Sequence, residues 1–362
     1  MERKLASIQK ITKIEPIDGA DKIEVATVMG WKVVIRKGEF TEGDLAVYCE
    51  IDSFLPIKPE FEFLRKSSYK KLVDGTEGFR LKTIRLRKQI SQGLLLPLSV
   101  LDNKLTFNIE RKEHEIQSVL YGDEGIDVTK ILGITKWDPP IPAQLSGTVK
   151  GHFPSFIPKT DEIRIQSCTG VLEELKGKPY YITEKADGAS MTVYYKSEED
   201  KGVCSRNLEL KEDENNSLWK MVEKYKLFDV LKDLSKQAGG YLFAIQCEIV
   251  GPGIQKNPMG LKELEIRIFN LFNITDQKYI NYLQLKEFCR EDFNLPMVKT
   301  IEAEDNFKYT LDELLEKAKG RYESGKNREG IVIRPQAEVY SDTLAGRLSF
   351  KAINNDYLLK EE

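Results

Sequence analysis

The stretch Glu184-Lys185-Ala186-Asp187-Gly188 decides how this chain reads, because its companions follow it in a meaningful order. Downstream stand Ser205-Arg206-Asn207, Cys247-Glu248-Ile249-Val250-Gly251, Ile268-Phe269-Asn270, Glu329-Gly330-Ile331-Val332-Ile333-Arg334 and Ser349-Phe350-Lys351. A Lys-x-Asp-Gly string alone describes an ordinary turn. The ordered set supplies a nucleophilic amine, carboxylates for metal work, an aromatic face for a base and further cations for phosphates.

Lys185 is the candidate nucleophile. A free lysine has a pKa of about 10.4, so only about one in two thousand is neutral at pH 7. It needs burial, a neighbouring cation or a metal to lower that value. Tyr180-Tyr181-Ile182 before it is apolar, which places Lys185 at the end of a buried strand, with Asp187 on the same side of an extended chain and Gly188 allowing close backbone approach. Arg206, near the end of a short strand, offers a fork of donors to a phosphate or a sugar hydroxyl. Glu248 sits in the apolar run Phe243–Gly251, where a carboxylate needs a partner such as ribose hydroxyls or a metal. Strict alternation along Glu265–Phe272 puts Arg267, Phe269 and Leu271 on one face, and a cleft-facing Phe269 can stack on a purine. Glu329 enters a strand and pairs in role with Asp187 around a hydrated divalent metal. Lys351 is expected to lower the Lys185 pKa and to neutralise an α-phosphate.

Composition narrows the remaining classes. With 362 residues, two domains are the natural expectation. No 18-residue apolar run occurs, so signal peptides and membrane spans are not expected. The five cysteines are scattered without a CxxC, as in a reduced, cytoplasmic protein. His114 and His152 are too few for a histidine metal site or a Ser-His-Asp triad, so a metal must be oxygen-bound, which means Mg²⁺ or Mn²⁺. The net charge of −3 does not advertise nucleic-acid binding, though local patches can.

The fold expected is α+β. Alternating runs at Lys22–Val28, Trp31–Arg36 and Asp44–Cys49, punctuated by Asp18-Gly19, Met29-Gly30 and Glu42-Gly43, suggest an OB-like β-barrel over residues 1–130. Three prolines in Trp137-Asp138-Pro139-Pro140-Ile141-Pro142 mark a connection over 131–150. Residues 151–362 alternate strands with helices, the helices expected over Asn216–Ser235 and Leu311–Arg321. Arg80, Lys82, Arg85 and Arg87 lie in the run Arg80–Lys88, read as one basic barrel strand that contacts RNA phosphates. Lys71-Leu72-Val73-Asp74-Gly75 has one residue too many for a second nucleophile motif and reads as a turn.

The ordered set resembles motifs I, Ia, III, IIIa, IV and V of the covalent nucleotidyltransferase superfamily of DNA ligases, RNA ligases and capping enzymes. DNA ligases and capping enzymes carry their OB domain after motif V. Here the barrel comes first, an order similar to the ATP-dependent RNA ligases of the Deinococcus/Naegleria type. Thr160–Gln166 also looks like that family's segment upstream of the nucleophile. The resemblance implies a nucleotidyltransferase catalytic domain, ATP as cofactor with AMP carried on Lys185, and Mg²⁺ or Mn²⁺. It assigns Lys185, Lys351, Glu329 and Asp187 to catalysis. Glu184, Arg206, Glu248, Phe269 and Arg164 go to the nucleotide, with Arg164 facing phosphate, and Asp187, Glu329 and Glu248 hold metal through water. The implied partner is RNA with 3′-OH and 5′-phosphate ends, expected as a nicked duplex, with the protein expected as a monomer. The alternatives are a DNA or mixed-duplex ligase, an RNA-capping guanylyltransferase, or an RNA-binding protein on a decayed ligase fold. Two departures stand out: Ser349-Phe350-Lys351 in place of the usual Lys-x-Lys, and Asn270 where Asp often follows the aromatic.

Overall fold

The computed structural model describes residues 3–72, 74–101, 124–137 and 148–359. The chain divides into two compact units, Met1–Pro142 and Ala143–Glu362. In the first, an antiparallel sheet runs in the order Leu94–Leu96, Leu45–Cys49, Ala6–Pro16, Ile23–Val28, Trp31–Arg36. A second sheet orders Thr135–Lys136, Ser53–Pro56, Glu77–Arg80 and Tyr69–Lys71. The sheets wrap a core that includes Ile8, Val47, Leu55, Phe61, Phe79 and Leu132, an OB-type barrel closed except for short gaps. Both ends of the expected 131–150 connection are built into the units. Thr135–Lys136 pairs with Ser53–Phe54, and Val149–His152 pairs with Leu208–Leu210. The prolines between them lie outside the described residues.

The basic run is not one barrel strand. Glu77–Arg80 ends in the four-stranded sheet, Leu81 is buried with its N–H donated to the Ser53 carbonyl, and the backbone then leaves that sheet. Thr83–Leu86 instead pairs with Gln89–Gln92 in a hairpin turned by Arg87 and Lys88, both at positive φ (48° and 68°), the geometry that matches strand twist in a two-residue turn. Arg80 lies 4.9 Å over the Trp137 ring, whereas Lys82, Arg85 and Arg87 are exposed. In the string at 71–75, Lys71 ends the Tyr69–Lys71 strand and the Gly75 N–H donates to the Leu72 carbonyl, while Val73 lies outside the described residues.

The second unit is built on two sheets. A seven-stranded sheet orders Val149–His152, Leu208–Leu210, Lys201–Cys204, Ala189–Tyr195, Phe243–Val250, Glu265–Asn273 and Lys278–Tyr279. A five-stranded sheet orders Ile163–Arg164, Phe350–Ile353, Gly330–Pro335, Tyr180–Lys185 and Thr300–Glu304. The helical expectation over 216–235 holds in phase but not in continuity. Lys226 adopts the left-handed conformation (φ 50°, ψ 44°) and separates Ser217–Tyr225 from Leu227–Gln237, both of which bury apolar faces on the larger sheet. The later helix is Leu311–Ala318, opened by a Thr310–Glu313 capping box and ended before Arg321 by extended Lys319.

Gly330 shows how tightly the smaller sheet is drawn. A Cβ there would stand 2.3 Å from the Ala352 carbonyl oxygen, a backbone atom that cannot step aside. Gly330→Ala is expected to cost about 1–3 kcal/mol, the usual range for overpacking. Gly151→Ala, which meets nothing within 4 Å, should stay within about 0.5 kcal/mol of wild type. Denaturant unfolding of the two variants measures the contrast.

Candidate active site

Lys185 is the last residue of the Tyr180–Lys185 strand, and Ala189 is the first residue of the next strand, which belongs to the other sheet. Three residues, Ala186-Asp187-Gly188, carry the chain across. At Gly188 a Cβ would lie 2.2 Å from the Ile249 carbonyl oxygen and 2.7 Å from Glu248 Cγ, so only glycine lets the crossing press against the Glu248 strand. The crossing thus delivers Lys185 and Asp187 to Glu248.

The neighbouring strand brings Glu329. Lys185 pairs in register with Gly330, and its Nζ donates to Glu329 Oε2 at 2.7 Å. One strand further, Lys351 lies opposite Val332, and Arg164 pairs in parallel with Lys351. Tyr322 locks this corner from behind. Its buried hydroxyl donates to the Lys185 carbonyl at 2.9 Å and accepts the Glu329 N–H at 3.1 Å. No sequence signal marked Tyr322, which stands seven residues before Glu329 in a polar loop.

The charges separate the two lysines. Burial works against the Lys185 ammonium, but the carboxylates of Glu329, Glu248 and Asp187 outweigh it and hold its pKa above the ordinary lysine value. Lys351 goes the other way. Burial, then the cations of Lys185 and Arg164, push it down to about 7. The expectation that Lys351 depresses Lys185 is therefore corrected: both amines are desolvated, but three carboxylates outweigh this at Lys185, whereas neighbouring cations add to it at Lys351. Glu248 is pushed up to about 7, mainly by burial. It faces Arg267 across the ladder, but that guanidinium turns to Glu265 instead. Glu184 is also raised by burial, against Arg328, Lys299 and Arg267.

Arg206 lies at the rim, where its Nη2 donates to Asp161 at 2.6 Å and its charge reaches Glu248. Phe269 occupies a β-bulge. The ladder pairs Gln246 with Asn270 and then Cys247 with Ile268, so Phe269 is the extra residue. This overturns strict alternation. Ile268 and Leu271 both enter the core against the helices, while Phe269 is left partly exposed. Asn270 fits its position as an amide: it donates to Gln246 Oε1 at 2.9 Å and accepts from Arg347 Nη1 at 2.8 Å.

Asp187, Glu329 and Glu248 are hard oxygen donors gathered beside the nucleophile, a set suited to a hydrated Mg²⁺ or Mn²⁺. Among the described residues, no three His, Cys, Asp or Glu side chains lie close enough to hold a metal directly. The five cysteines are buried, and none of them forms a disulfide. Among the described residues, no helix is long and apolar enough to cross a membrane.

Lys351 makes the electrostatics testable. Its folded pKa lies below its unfolded one, so its charging opposes folding fully below about pH 7 and ceases to do so as pH rises toward 10.5. Lys351→Met should therefore gain stability over wild type at pH 6, and the gain should shrink by pH 9. Denaturant melts at the two pH values measure it.

Residues 178–353 match the RNA ligase family, and residues 5–98 match an OB-fold domain family. Among solved structures, the chain is similar to Naegleria gruberi RNA ligase. A lysine-to-methionine variant of that ligase with AMP and Mn is 37% identical, with 98% of each chain covered and a TM-score of 0.83. The same ligase with pyrophosphate is 37% identical, with 98% of each chain covered and a TM-score of 0.82. A lysine-to-alanine variant with ATP and Mn is 36% identical over 98% of each chain, with a TM-score of 0.82. No curated protein sequence matches the chain.

Proposed function

The chain belongs to the RNA ligase family, and from that premise we propose that it seals RNA 3′-OH and 5′-phosphate ends with ATP, through AMP carried on Lys185. The observation that supports this reading most is the Lys185–Glu329 contact at the sheet crossing, with Asp187, Glu248 and Lys351 gathered around it. Lys185 Nζ, once deprotonated, attacks the α-phosphorus. The bond to the bridging oxygen breaks, and pyrophosphate leaves with the electron pair. The AMP then passes from nitrogen to an RNA 5′-phosphate oxygen. Finally a 3′-OH loses its proton and attacks the phosphorus of that RNA 5′-phosphate, and the bond to the bridging oxygen breaks so that AMP leaves with the electron pair.

Each residue has a task in this scheme. Lys351 and Arg164 offer positive charge to the phosphates, Arg206 and Glu248 reach the sugar, and Phe269 stacks on the base. Glu184 belongs to the nucleotide pocket. Asp187, Glu329 and Glu248 would hold a Mg²⁺ or Mn²⁺ through water, and the ion would supply positive charge to phosphate oxygens. The N-terminal unit engages RNA through the exposed Lys82, Arg85 and Arg87, with a nicked duplex as the form sealed by a monomer. Arg80, which lies over the Trp137 ring, joins them as the least exposed of the four.

Incubation with [α-³²P]ATP or [α-³²P]GTP and manganese, followed by a denaturing gel, tests the core of this reading. Label is expected from ATP alone and is expected to vanish in Lys185→Ala; label from GTP, or retained label in that variant, refutes it. Asp187→Ala and Glu329→Ala should remain folded and need much higher metal, or stop. Reversing charge at Arg85 and Arg87 should flatten the salt dependence of RNA binding by about two phosphate contacts while leaving lysyl-AMP formation unchanged.

A further inference from the structure

The Gly330–Pro335 strand is buried at every residue, yet its fifth residue is Arg334, only 2% exposed. A guanidinium taken so far from water must be matched donor by donor. Its Nη2 donates to Glu162 Oε1 at 2.8 Å, and its Nε donates to Ser349 Oγ at 2.8 Å. Burial raises the Glu162 carboxyl, but Arg334 and Arg347 outweigh it and keep that pair ionised. These two contacts hold the edge of the guanidinium formed by Nε and Nη2. The remaining limb, Nη1, donates at 3.3 Å to the carbonyl of Phe269.

That carbonyl belongs to the residue the ladder skips. The bulge leaves Phe269 out of the pairing between Gln246–Cys247 and Ile268–Asn270, so it has no partner residue opposite it in the ladder. Arg334 comes from the five-stranded sheet, whereas Phe269 lies in the seven-stranded one. The contact therefore ties the bulge to the strand that begins beside Glu329. We infer that Arg334 is a positioning residue for the nucleotide: anchored by Glu162 and Ser349, it holds the Phe269 bulge so that the ring presents a fixed face to the base. The inference rests on Phe269 as the base-stacking residue, and it adds what sets that ring in place.

Lysine keeps the charge of Arg334 but cannot span three acceptors with a planar fork. Arg334→Lys is expected to raise the ATP KM of lysyl-AMP formation about tenfold, with kcat changed less than threefold. The deciding measurement is the double-mutant cycle with Phe269→Ala. If Arg334 acts through Phe269, the double variant should show nearly the KM of Phe269→Ala alone. Multiplication of the two single effects, or an unchanged KM in Arg334→Lys, overturns the proposal. An unchanged KM in Phe269→Ala alone overturns the stacking assignment first, and the inference falls with it. If Arg334→Lys melts below the assay temperature, Glu162→Gln/Arg334→Met removes both buried charges and faces the same cycle.

Discussion

Everything at the active site depends on a three-residue passage between two sheets. Ala186-Asp187-Gly188 must carry the chain from the Tyr180–Lys185 strand to the Ala189–Tyr195 strand with no slack, and Gly188 must lie against the Ile249 carbonyl to do so. A longer link would leave the nucleophile beside Glu329 but remove it from Glu248. A bulkier residue at 188 would push the sheets apart. Because both sheets reach this point with strands already paired, Glu248 arrives from within a strand, while Asp187 and Glu329 stand one or two residues beyond strand ends that the pairing fixes.

The convergence explains why the two lysines titrate so differently. Lys185 is ringed by three carboxylates, so its charge is favoured despite burial, whereas Lys351 meets two cations and little compensation. A nucleophile held as an ammonium is unreactive. Whatever draws Glu329 and Asp187 away from Lys185 also removes the charges that keep it protonated. Positive charge bound at those carboxylates and release of the Lys185 proton are therefore coupled through the same atoms. Lys351, its pKa pushed down to about 7, is only partly charged near neutral pH, and a negative group bound beside it would draw it back toward the ammonium.

The sequence made the chemistry more legible than the shape. Lys185, Asp187, Glu248, Glu329 and Lys351 converge because the strands that hold them are apolar runs whose ends are easily read. Alternation failed at Phe269, since a bulge inserts one residue without changing composition. Helical phase survived Lys226, because a single left-handed residue interrupts hydrogen bonding while apolar spacing continues. The basic run at 80–88 concealed a buried Leu81 and a left-handed turn, which interleaved cations do not advertise. Tyr322 and Arg334 were invisible for a deeper reason. Each acts through partners scattered along the chain, from Lys185 to Glu329 in one case and from Glu162 to Ser349 in the other, and no local pattern records such contacts.

Two departures from the family's motifs become intelligible in the same terms. Ser349 is buried, and its hydroxyl accepts from Arg334, so a lysine in its place would set a second cation against a guanidinium already enclosed. Asn270 must both donate to Gln246 and accept from Arg347, which an ionised aspartate cannot do without losing the donor. Arg334 meets position 349 and Arg347 meets position 270, and the polar group at each position is the one that arginine requires. The substitutions and the arginines form one arrangement: beside the buried Arg334–Glu162 pair a neutral hydroxyl at 349 accepts from the guanidinium, where a lysine would bring a second cation.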